Sequence, residues 1–269
     1  MLKKLLILTV LVFISVAATF AQTIEGTVKD AKTGAALEYV NVGIPGKNIG
    51  TVTDNSGHFQ LPINNNSSDS LKISMIGYIS KTFKVSDYIP GKTILLDINS
   101  RELTEVKIFS KKPKMAVLGN TTRSQSTDAG FTSNELGNEI GAVIKIKRAP
   151  THLLQFNTSL AHPATDSVKL RLNFYTVTDG LPDKIIQDQN IFITVKKGQD
   201  NISVDLTPYH IVVQDKFFVS LEWIENAKGS GLMFSASLLS SAIIARETSQ
   251  ANWEKMAIAG VGFNVLAEY

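Results

Sequence analysis

Apolar and polar residues alternate with a period of two along most of this chain. Clear examples are residues 24–28, 71–75, 94–98 and 168–175. Because successive side chains of a β-strand point to opposite faces, this alternation predicts strands with one apolar face and one polar face. No convincing long helix interrupts the pattern. The sequence therefore predicts an all-β protein.

The strands of the first hundred residues are short and are separated by turn sequences. Three such turns are DAKTG at Asp30–Gly34, PGKN at Pro45–Asn48 and DNSG at Asp54–Gly57. Aspartate and asparagine side chains bond to nearby backbone N–H groups, and glycine adopts positive φ without strain, so these sequences favour tight turns. For DNSG we expect an Asx turn with Gly57 at positive φ, because the rest of a calcium-binding loop is missing.

Two segments of this region resemble the carboxypeptidase-regulatory-like domain. They are GTVKDAKTG at Gly26–Gly34 and GTVTDNSGHFQL at Gly50–Leu61. Weaker similarity continues through residues 71–81 and 94–98. The resemblance implies a seven-stranded prealbumin-like or Ig-like β-sandwich without catalytic activity, which we assign to residues 22–108, and it is typical of Gram-negative envelope proteins.

The alternation returns with longer strands from Ile140 onward. Further strands are expected at residues 168–175, 191–195, 202–206, 217–224, 232–239 and 258–267. Seven or more strands without a long helix predict a second, jelly-roll-like β-sandwich over residues 139–269. Residues 109–138 are rich in lysine, serine, threonine, asparagine and glycine, which favours a linker or an irregular beginning of the second domain.

The first 21 residues have the features of a secretory signal peptide. Lys3 and Lys4 precede an apolar run, and the small residues Ala18 and Ala21 fit a cleavage site before Gln22. The chain contains no cysteine, which excludes disulfides and the acylated cysteine of a bacterial lipoprotein. We therefore expect an exported protein of the periplasm, the outer-membrane surface or the medium, with no transmembrane span after cleavage.

The charge balance is close to neutral, with 27 basic and 24 acidic residues, and two of the basic ones lie in the predicted signal peptide. A nucleic-acid-binding protein would carry a basic patch or stripe. The one basic cluster, at residues 111–114, is interpreted as part of the linker. Nucleic acid is not expected as a partner.

The sequence shows neither the spacing of metal-binding residues nor that of a nucleophile motif. None of the four histidines, at positions 58, 152, 162 and 210, begins an H-x-x-E or H-E-x-x-H pattern. The GSG sequence at residues 229–231 lacks the GxSxG spacing of a nucleophile elbow. We therefore expect no catalytic residue, no metal and no cofactor.

Candidate binding residues lie in the second domain. Arg171, Asn173 and Tyr175 share the polar face of one predicted strand, and Trp253 lies in a polar segment just before the last strand. A tryptophan among polar residues can stack on a sugar ring or anchor a protein partner, and it can also fold back as a lid on the core. The prediction is a binding or scaffolding protein of the bacterial cell envelope, whose ligand is a glycan or an envelope protein.

Two other functions remain open on the sequence. A hydrolase acting on envelope polymer would need paired carboxylates in one cleft, for which Asp183 with Asp188 and Glu222 with Glu225 are the candidates. An accessory subunit of a TonB-dependent outer-membrane transporter is the other alternative. A large exposed apolar patch would favour it. The segment Leu103–Val106 resembles the residues immediately after this domain in such receptors, but a plug and barrel would need several hundred more residues than this chain has.

Overall fold

The computed structural model describes residues 22–63, 68–99, 113–131, 133–225, 231–256 and 259–269. The predicted signal peptide and residues 100–112, with the segment Leu103–Val106, lie outside the described residues. The described chain forms β-strands and two single-turn 3-10 helices, at Val85–Asp87 and Thr207–Tyr209. Within these ranges, no helix is long and apolar enough to cross a bilayer. The predicted all-β class is confirmed.

The first unit is a sandwich of seven strands. They are β1 (Gln22–Asp30), β2 (Asn41–Gly43), β3 (Gly50–Val52), β4 (His58–Ile63), β5 (Ser70–Ser74), β6 (Lys81–Lys84) and β7 (Lys92–Leu96). One sheet has the order β4-β1-β7 and the other β3-β2-β5-β6. Strands β1 and β7 pair in parallel, and the other pairs are antiparallel. The alternating apolar side chains meet between the sheets in one core.

The predicted turns of this unit form as expected. The Oδ1 atom of Asp54 accepts hydrogen bonds from the backbone N–H of Ser56 at 2.8 Å and of His58 at 3.0 Å. Gly57 follows with φ 75°, and Gly34 closes the first turn with φ 73°. Because the aspartate satisfies the turn's own N–H groups and glycine accepts the left-handed conformation, DNSG is an Asx turn.

The second unit is a larger antiparallel sandwich. Its strands are β8 (Met115–Gly119), β9 (Asp128–Gly130), β10 (Glu139–Ile144), β11 (Thr151–Ser159), β12 (Val168–Thr178), β13 (Leu181–Ile185), β14 (Ile191–Val195), β15 (Asn201–Asp205), β16 (Val212–Val213), β17 (Phe217–Trp223), β18 (Met233–Leu238), β19 (Ile243–Arg246), β20 (Glu254–Met256), β21 (Ala259–Val261) and β22 (Asn264–Glu268).

The strands of the second unit form three sheets. The central sheet has the order β13-β12-β17-β10-β19-β20, with β14 also paired to β12, and the opposite sheet has the order β15-β11-β22-β8, with β16 paired to β11. A small third sheet has the order β21-β18-β9. One large apolar core lies among these sheets, in keeping with the predicted jelly-roll-like sandwich.

Part of the segment predicted as a linker, residues 109–138, is integral to the second unit. Strand β8 pairs along its whole length with the last strand, β22, and β9 pairs with β18. Ala116 and Leu118 of β8 point into the core, whereas Met115 and Val117 are half exposed. These strands are short and pair with strands more than a hundred residues away, so they leave a weak local signal.

The central sheet of the second unit is buried on both faces. All seven residues of β17 are buried. One face of β17, with Phe217 and Trp223, belongs to the main core, and the other carries Phe218, Ser220 and Glu222. The alternation predicted for β12 is also present, but its polar face is covered rather than exposed. The prediction of a solvent-facing polar surface there was wrong.

The two units pack directly against each other. Their main cores are separate, but a small apolar cluster joins Tyr39 and Val52 of the first unit to Ile224 and Leu136 of the second. Tyr39 is 2% exposed and has φ 59°, an uncommon conformation for a large residue. This joint places the first unit near the polar face of the central sheet.

Candidate functional site: a charged network beneath the cleft between the units

The polar face of the central sheet holds a connected set of buried side chains, which we call the charge network. All its members lie on the adjacent strands β10, β12, β17 and β19. They are Glu139, Arg171, Asn173, Tyr175, Ser220, Glu222 and Arg246.

Arg171 and Glu222 form the first ion pair of the network. They are register partners on β12 and β17, so their side chains leave the sheet side by side. Arg171 Nε donates to Glu222 Oε2 and Arg171 Nη2 donates to Glu222 Oε1, each at 2.9 Å. The side chains are 1% and 0% exposed. Such a two-point pair fixes both the charge and the orientation of the guanidinium.

The second ion pair joins Glu139 of β10 to Arg246 of β19, which are also register partners. Asn173 connects the two pairs, since its amide nitrogen donates to Glu139 Oε1 at 2.9 Å and to Glu222 Oε2 at 2.8 Å. Two arginines and two glutamates therefore share one buried site. Their formal charges cancel, which limits the desolvation cost of burying them.

Tyr175 completes the network at the cleft. Its hydroxyl donates to Glu139 Oε1 at 2.9 Å. Burial and the negative charge of Glu139 raise the pKa of Tyr175 well above its usual value. Burial is the largest influence and acts to lower the pKa of Arg246, but the electrostatic effects of Glu139, Tyr175 and Glu222 and the hydrogen bond to Glu139 together outweigh it, and the net effect is a raised pKa. At neutral pH the network therefore consists of charged arginine and neutral tyrosine.

Arg171 also binds the first unit. Its Nη1 donates to the backbone carbonyl of Tyr39 at 2.8 Å, and its Nη2 donates to Asn41 Oδ1 at 2.8 Å. A third contact, from Nη1 to Asn190 Oδ1, measures 3.3 Å. A single guanidinium thus joins the interior of one sandwich to the backbone of the other.

A second polar contact between the units surrounds the Tyr39 ring. Lys169 Nζ donates to the Tyr39 hydroxyl at 2.7 Å, and that hydroxyl donates to Glu225 Oε2 at 2.7 Å. Hydrogen bonds to Tyr39 and Glu225 raise the pKa of Lys169, and hydrogen bonds from Tyr39 and Lys169 lower the pKa of Glu225. Both ionised forms are therefore favoured, although the pair is partly exposed.

The segment 247–253, which we call the docking loop, lies against strands β2 and β3 of the first unit. A Cβ atom added at Gly43 or Gly50 would collide with the backbone oxygen of Ser249, so only glycine permits this approach. Gly46 N–H donates to the Gln250 carbonyl at 2.9 Å. Ser249 is 0% exposed. The docking loop thus packs directly against the backbone of these two glycines.

A cleft of about 690 Å³ lies between the units above this network. The first unit contributes Lys72, Tyr78 and neighbouring residues, and the second contributes β12, β13 and the docking loop. Arg171, Asn173, Tyr175 and Trp253, the four predicted binding residues, all line it.

Two buried polar atoms of residues that line the cleft have no hydrogen-bond partner within the described ranges. They are Asn173 Oδ1, an acceptor, and Arg246 Nε, a donor. The Asn173 nitrogen must face the two carboxylates, because carboxylates only accept, so the oxygen is the atom left over. Buried polar groups are nearly always paired in proteins, and these two exceptions require an explanation.

Trp253 is partly buried at the end of the docking loop. The Arg246 guanidinium lies over its ring, 4.6 Å from the centroid. Edge-to-face contacts join the ring to Tyr175 at 5.7 Å and to Phe218 at 5.2 Å. Trp253 therefore covers a small apolar cluster and also forms part of the wall of the cleft.

The structure brings all four predicted binding residues together in one cleft. It also shows that the three residues of β12 are buried. Arg171 and Asn173 are each 1% exposed and Tyr175 is 7% exposed. They are not an open polar face, because Glu139 and Glu222 bind them from neighbouring strands. A direct role of these residues in binding stays a prediction.

Sequence reasoning missed Glu139 and Arg246, and it considered Glu222 only as half of a catalytic pair. A signal was available in β17, where Ser220 and Glu222 interrupt an otherwise apolar strand with a spacing of two. Polar residues at period two inside a run that is otherwise apolar indicate a second buried face with internal partners.

The two carboxylate pairs considered for catalysis lie in different surroundings. Glu222 is held by Arg171 and Asn173, and Glu225 lies 3.0 Å from Lys169, so neither is free. Asp183 and Asp188 both line the cleft. Among the residues that the structure describes, no group of three histidine, aspartate or glutamate side chains could hold a metal ion.

Comparison with known proteins identifies the first unit. Residues 24–108 match the family described as CarboxypepD_reg-like domain. The TonB-dependent receptor SusC of Bacteroides thetaiotaomicron is 32% identical over 140 residues, which cover 50% of this chain and 13% of the receptor. The chain therefore corresponds to a small part of that curated relative.

Solved structures show only loose similarity to the whole chain. The cysteine protease and lectin-like domains of a surface-layer-associated protein of Clostridium difficile align with a TM-score of 0.43 and 10% identity, over 89% of this chain and 61% of that one. A clostridial cysteine protease after propeptide cleavage aligns with a TM-score of 0.41 and 10% identity, over 86% and 65%. We infer no function from them.

The predicted resemblance is thus confirmed, since the matched residues include both motifs recognised in the sequence and coincide with the seven-stranded sandwich. Residues 24–108 belong to the CarboxypepD_reg-like domain family.

Proposed function

We propose that the protein is an exported, non-enzymatic binding component of the bacterial cell envelope, and that a neutral glycan binds in the cleft between its two units. The observation that carries this proposal is the cleft itself. Both units line it, it presents the partly exposed Trp253 ring, and its wall includes Asn173 and Arg246, each of which carries a buried polar atom without a partner among the described residues. Ligand sites typically combine an aromatic surface with a few convergent polar groups.

The charge of the cleft supports a neutral ligand. The two arginines that line it are already paired with Glu139 and Glu222. Lys72 and Lys184 are offset by Asp183 and Asp188. A sugar hydroxyl both donates and accepts, so hydroxyl groups can bond to the polar side chains that line the cleft.

The relationship to SusC supports the envelope setting, since that relative is a TonB-dependent receptor. The CarboxypepD_reg-like domain would then serve as the docking or structural module. The second unit, with its share of the cleft, would supply most of the ligand contacts.

A glycan array probed with residues 22–269, followed by calorimetric titration of the glycans that bind, tests the proposal. We expect Trp253→Ala to weaken binding about thirtyfold, because an aromatic anchor contributes about 2 kcal/mol and 1.4 kcal/mol corresponds to one decade. Phe83→Ala is the matched control. Phe83 is partly buried, carries Lys92 over its ring at 4.8 Å and is outside the cleft lining.

Loss of affinity in Trp253→Ala alone supports the cleft site. Equal affinity in the wild type and Trp253→Ala, with the fold retained by circular dichroism, would remove Trp253 from the site. Absence of binding to every glycan on the array would overturn the glycan assignment.

A hydrolase acting on envelope polymer is the second candidate, because Asp183 and Asp188 line the same cleft. Paired carboxylates in a cleft are what glycoside hydrolysis requires. Incubation of the bound glycan with the protein, followed by measurement of new reducing ends, separates the two functions. Product that disappears in Asp183→Asn or Asp188→Asn would favour the hydrolase.

A further inference from the structure

A second concave surface lies on the opposite sheet of the second unit, on the outer face of β11, β15 and β22. We call it the outer groove. It has a volume of about 560 Å³. Its floor carries Asn157, Ser159, Asn201, Ser203 and Asn264, and Arg123 and Gln125 stand at its wall.

Strand register arranges the floor of the outer groove in rows. Asn157 of β11 is the register partner of Ser203 on β15 and of Asn264 on β22, so the three side chains stand in one line across the sheet. Ser159 and Asn201 form the next row. Strand β8 lies beyond β22, where Gly119 is the register partner of Asn264. The four strands span roughly 14 Å at about 4.8 Å per spacing.

Internal hydrogen bonds hold the floor in a defined orientation. Gln155 Nε2 donates to Ser203 Oγ at 2.7 Å, and Ser203 Oγ donates to Asn157 Oδ1 at 2.9 Å. Because the oxygen of Asn157 is used, its amide nitrogen is the atom presented to a ligand. A polar group that is already oriented loses little conformational entropy when it binds.

The loop 120–125 forms one wall of the outer groove and is anchored from below. Asn120 Nδ2 donates to Ser237 Oγ at 2.8 Å and to the Gly260 carbonyl at 3.0 Å. Its Oδ1 accepts from the Thr122 N–H at 3.1 Å. The side chains of Arg123 and Gln125 are exposed beside the floor. The wall is thus a fixed loop that carries free polar groups.

The chemistry of the outer groove selects a neutral, hydroxyl-rich ligand. Its polar groups are amides and hydroxyls, with one arginine offset by one aspartate. Amides and hydroxyls donate and accept, which matches sugar hydroxyls. An anionic polymer would need several cations for its repeated charges, and among the described residues that line the groove Arg123 is the one cation. None of these described lining residues is aromatic, so each sugar contact is weak and affinity must come from several units.

We propose that the outer groove is a second binding site, which takes a chain of a neutral polysaccharide. It differs from the cleft in location and in its residues, and it holds a polymer across the sheet without an aromatic anchor. Two sites on one molecule raise the avidity for a polymer that reaches both of them.

Affinity electrophoresis of residues 22–269 tests this proposal in native gels that contain a soluble neutral polysaccharide, namely dextran, mannan or xyloglucan, or the anionic polymer alginate. We expect retardation by at least one neutral polymer and none by alginate. The double variant Asn157→Ala/Ser203→Ala should weaken that retardation at least tenfold in apparent Kd. Gln125→Ala, on the exposed loop, should weaken it about threefold and has little effect on folding.

Thr194→Ala is the matched control, since Thr194 is an exposed hydroxyl residue of β14 on the other sheet. Trp253→Ala distinguishes the two sites. Retardation that falls in Trp253→Ala and not in the groove variants would place polymer binding in the cleft, whereas a fall in the groove variants places it in the outer groove, so that failure at the cleft and failure at the outer groove give different results. Retardation that is unchanged in both groove variants, retardation by alginate alone, or no retardation by any of the neutral polymers would overturn the proposal.

Discussion

At the scale of single residues, Arg171 has the largest structural role. It is buried, it forms a two-point pair with Glu222, and it binds Tyr39 and Asn41 of the other unit. A buried ion pair adds little net stability compared with apolar residues of the same size, but removing one partner leaves an uncompensated charge. The consequence of a change therefore depends on whether one partner or both are replaced.

Replacing Arg171 alone should be strongly destabilising. We expect Arg171→Met to lower the free energy of unfolding by about 3–5 kcal/mol, since Glu222 stays buried without its cation. Urea denaturation followed by circular dichroism measures this. Lys169→Met, which removes a partly exposed pair with Glu225, should cost about 1 kcal/mol or less. Equal effects of the two changes would contradict the assigned burial of the charge.

Alkaline pH should weaken the fold through buried tyrosines. Burial raises the pKa of Tyr88 to about 12, with the charge of Glu25 adding to the effect. The folded state then binds the proton more tightly than the unfolded state, whose tyrosine pKa is about 10. Stability from this group is complete below pH 10 and is lost as the pH rises from 10 to 12. Urea midpoints across that window should fall less steeply in Tyr88→Phe than in the wild type.

At the scale of elements, the docking loop and the β2-β3 hairpin define how the units meet. Gly43 and Gly50 lack the side chains that would hold Ser249 away. Asn252 Nδ2 and the Gln250 carbonyl bond to the two backbone groups of Gly46 in the turn of the same hairpin. The loop therefore docks by close backbone approach, which depends on shape more than on charge.

A methyl group at Gly50 should separate these elements. We expect Gly50→Ala to cost about 1–3 kcal/mol of stability, which is the range for overpacking. Hydrogen exchange should also speed up at the Gly46 amide, because its acceptor lies on the displaced loop. Lys47→Ala in the same hairpin removes only a surface pair with Asp69 and should leave that exchange rate unchanged. Unchanged exchange in Gly50→Ala would mean that the loop tolerates the added methyl.

At the scale of the whole molecule, two sandwiches with separate cores meet at one interface. We use the word joint for that whole interface, which includes the small apolar cluster around Tyr39 and the contacts of Arg171. Each sandwich has its own apolar core, so each has the packing of an independent domain. The joint, however, contains the charge network, and separation would expose its ions and leave the Arg171 contacts to the first unit unmade. The units should therefore behave as one cooperative body.

Unfolding of residues 22–269 should show a single transition. We expect thermal melts followed by far-ultraviolet circular dichroism and by tryptophan fluorescence to coincide, since both tryptophans lie in the second unit and the first unit contributes to the circular dichroism. Residues 22–99 alone should unfold cooperatively as a β-rich fragment. Residues 113–269 alone should melt at a lower temperature than in the intact chain. Two separated transitions in the intact protein would show that the joint is weak.

Several features could be predicted because they are local. Alternation at period two follows from strand geometry, and it correctly assigned the inward positions of β12. The Asx turn at Asp54 depends on four neighbouring residues. Trp223 shares a strand face with apolar residues, and it is fully buried as that pattern predicts. By contrast, β8 and β9 are short, and they are stabilised by partners distant in sequence.

The sequence by itself thus determined the all-β class, the seven strands of the first sandwich and which side chains share a strand face. Only the tertiary structure decided what covers the polar face of β12. Arg171 and its acceptor on Tyr39 are 132 residues apart in the chain. The alternation of apolar and polar residues shows only that the two faces of a strand differ in polarity. Whether the polar face meets water or a second set of ions depends on distant strands that bring Glu139 and Glu222 beside it, and no local pattern encodes that pairing.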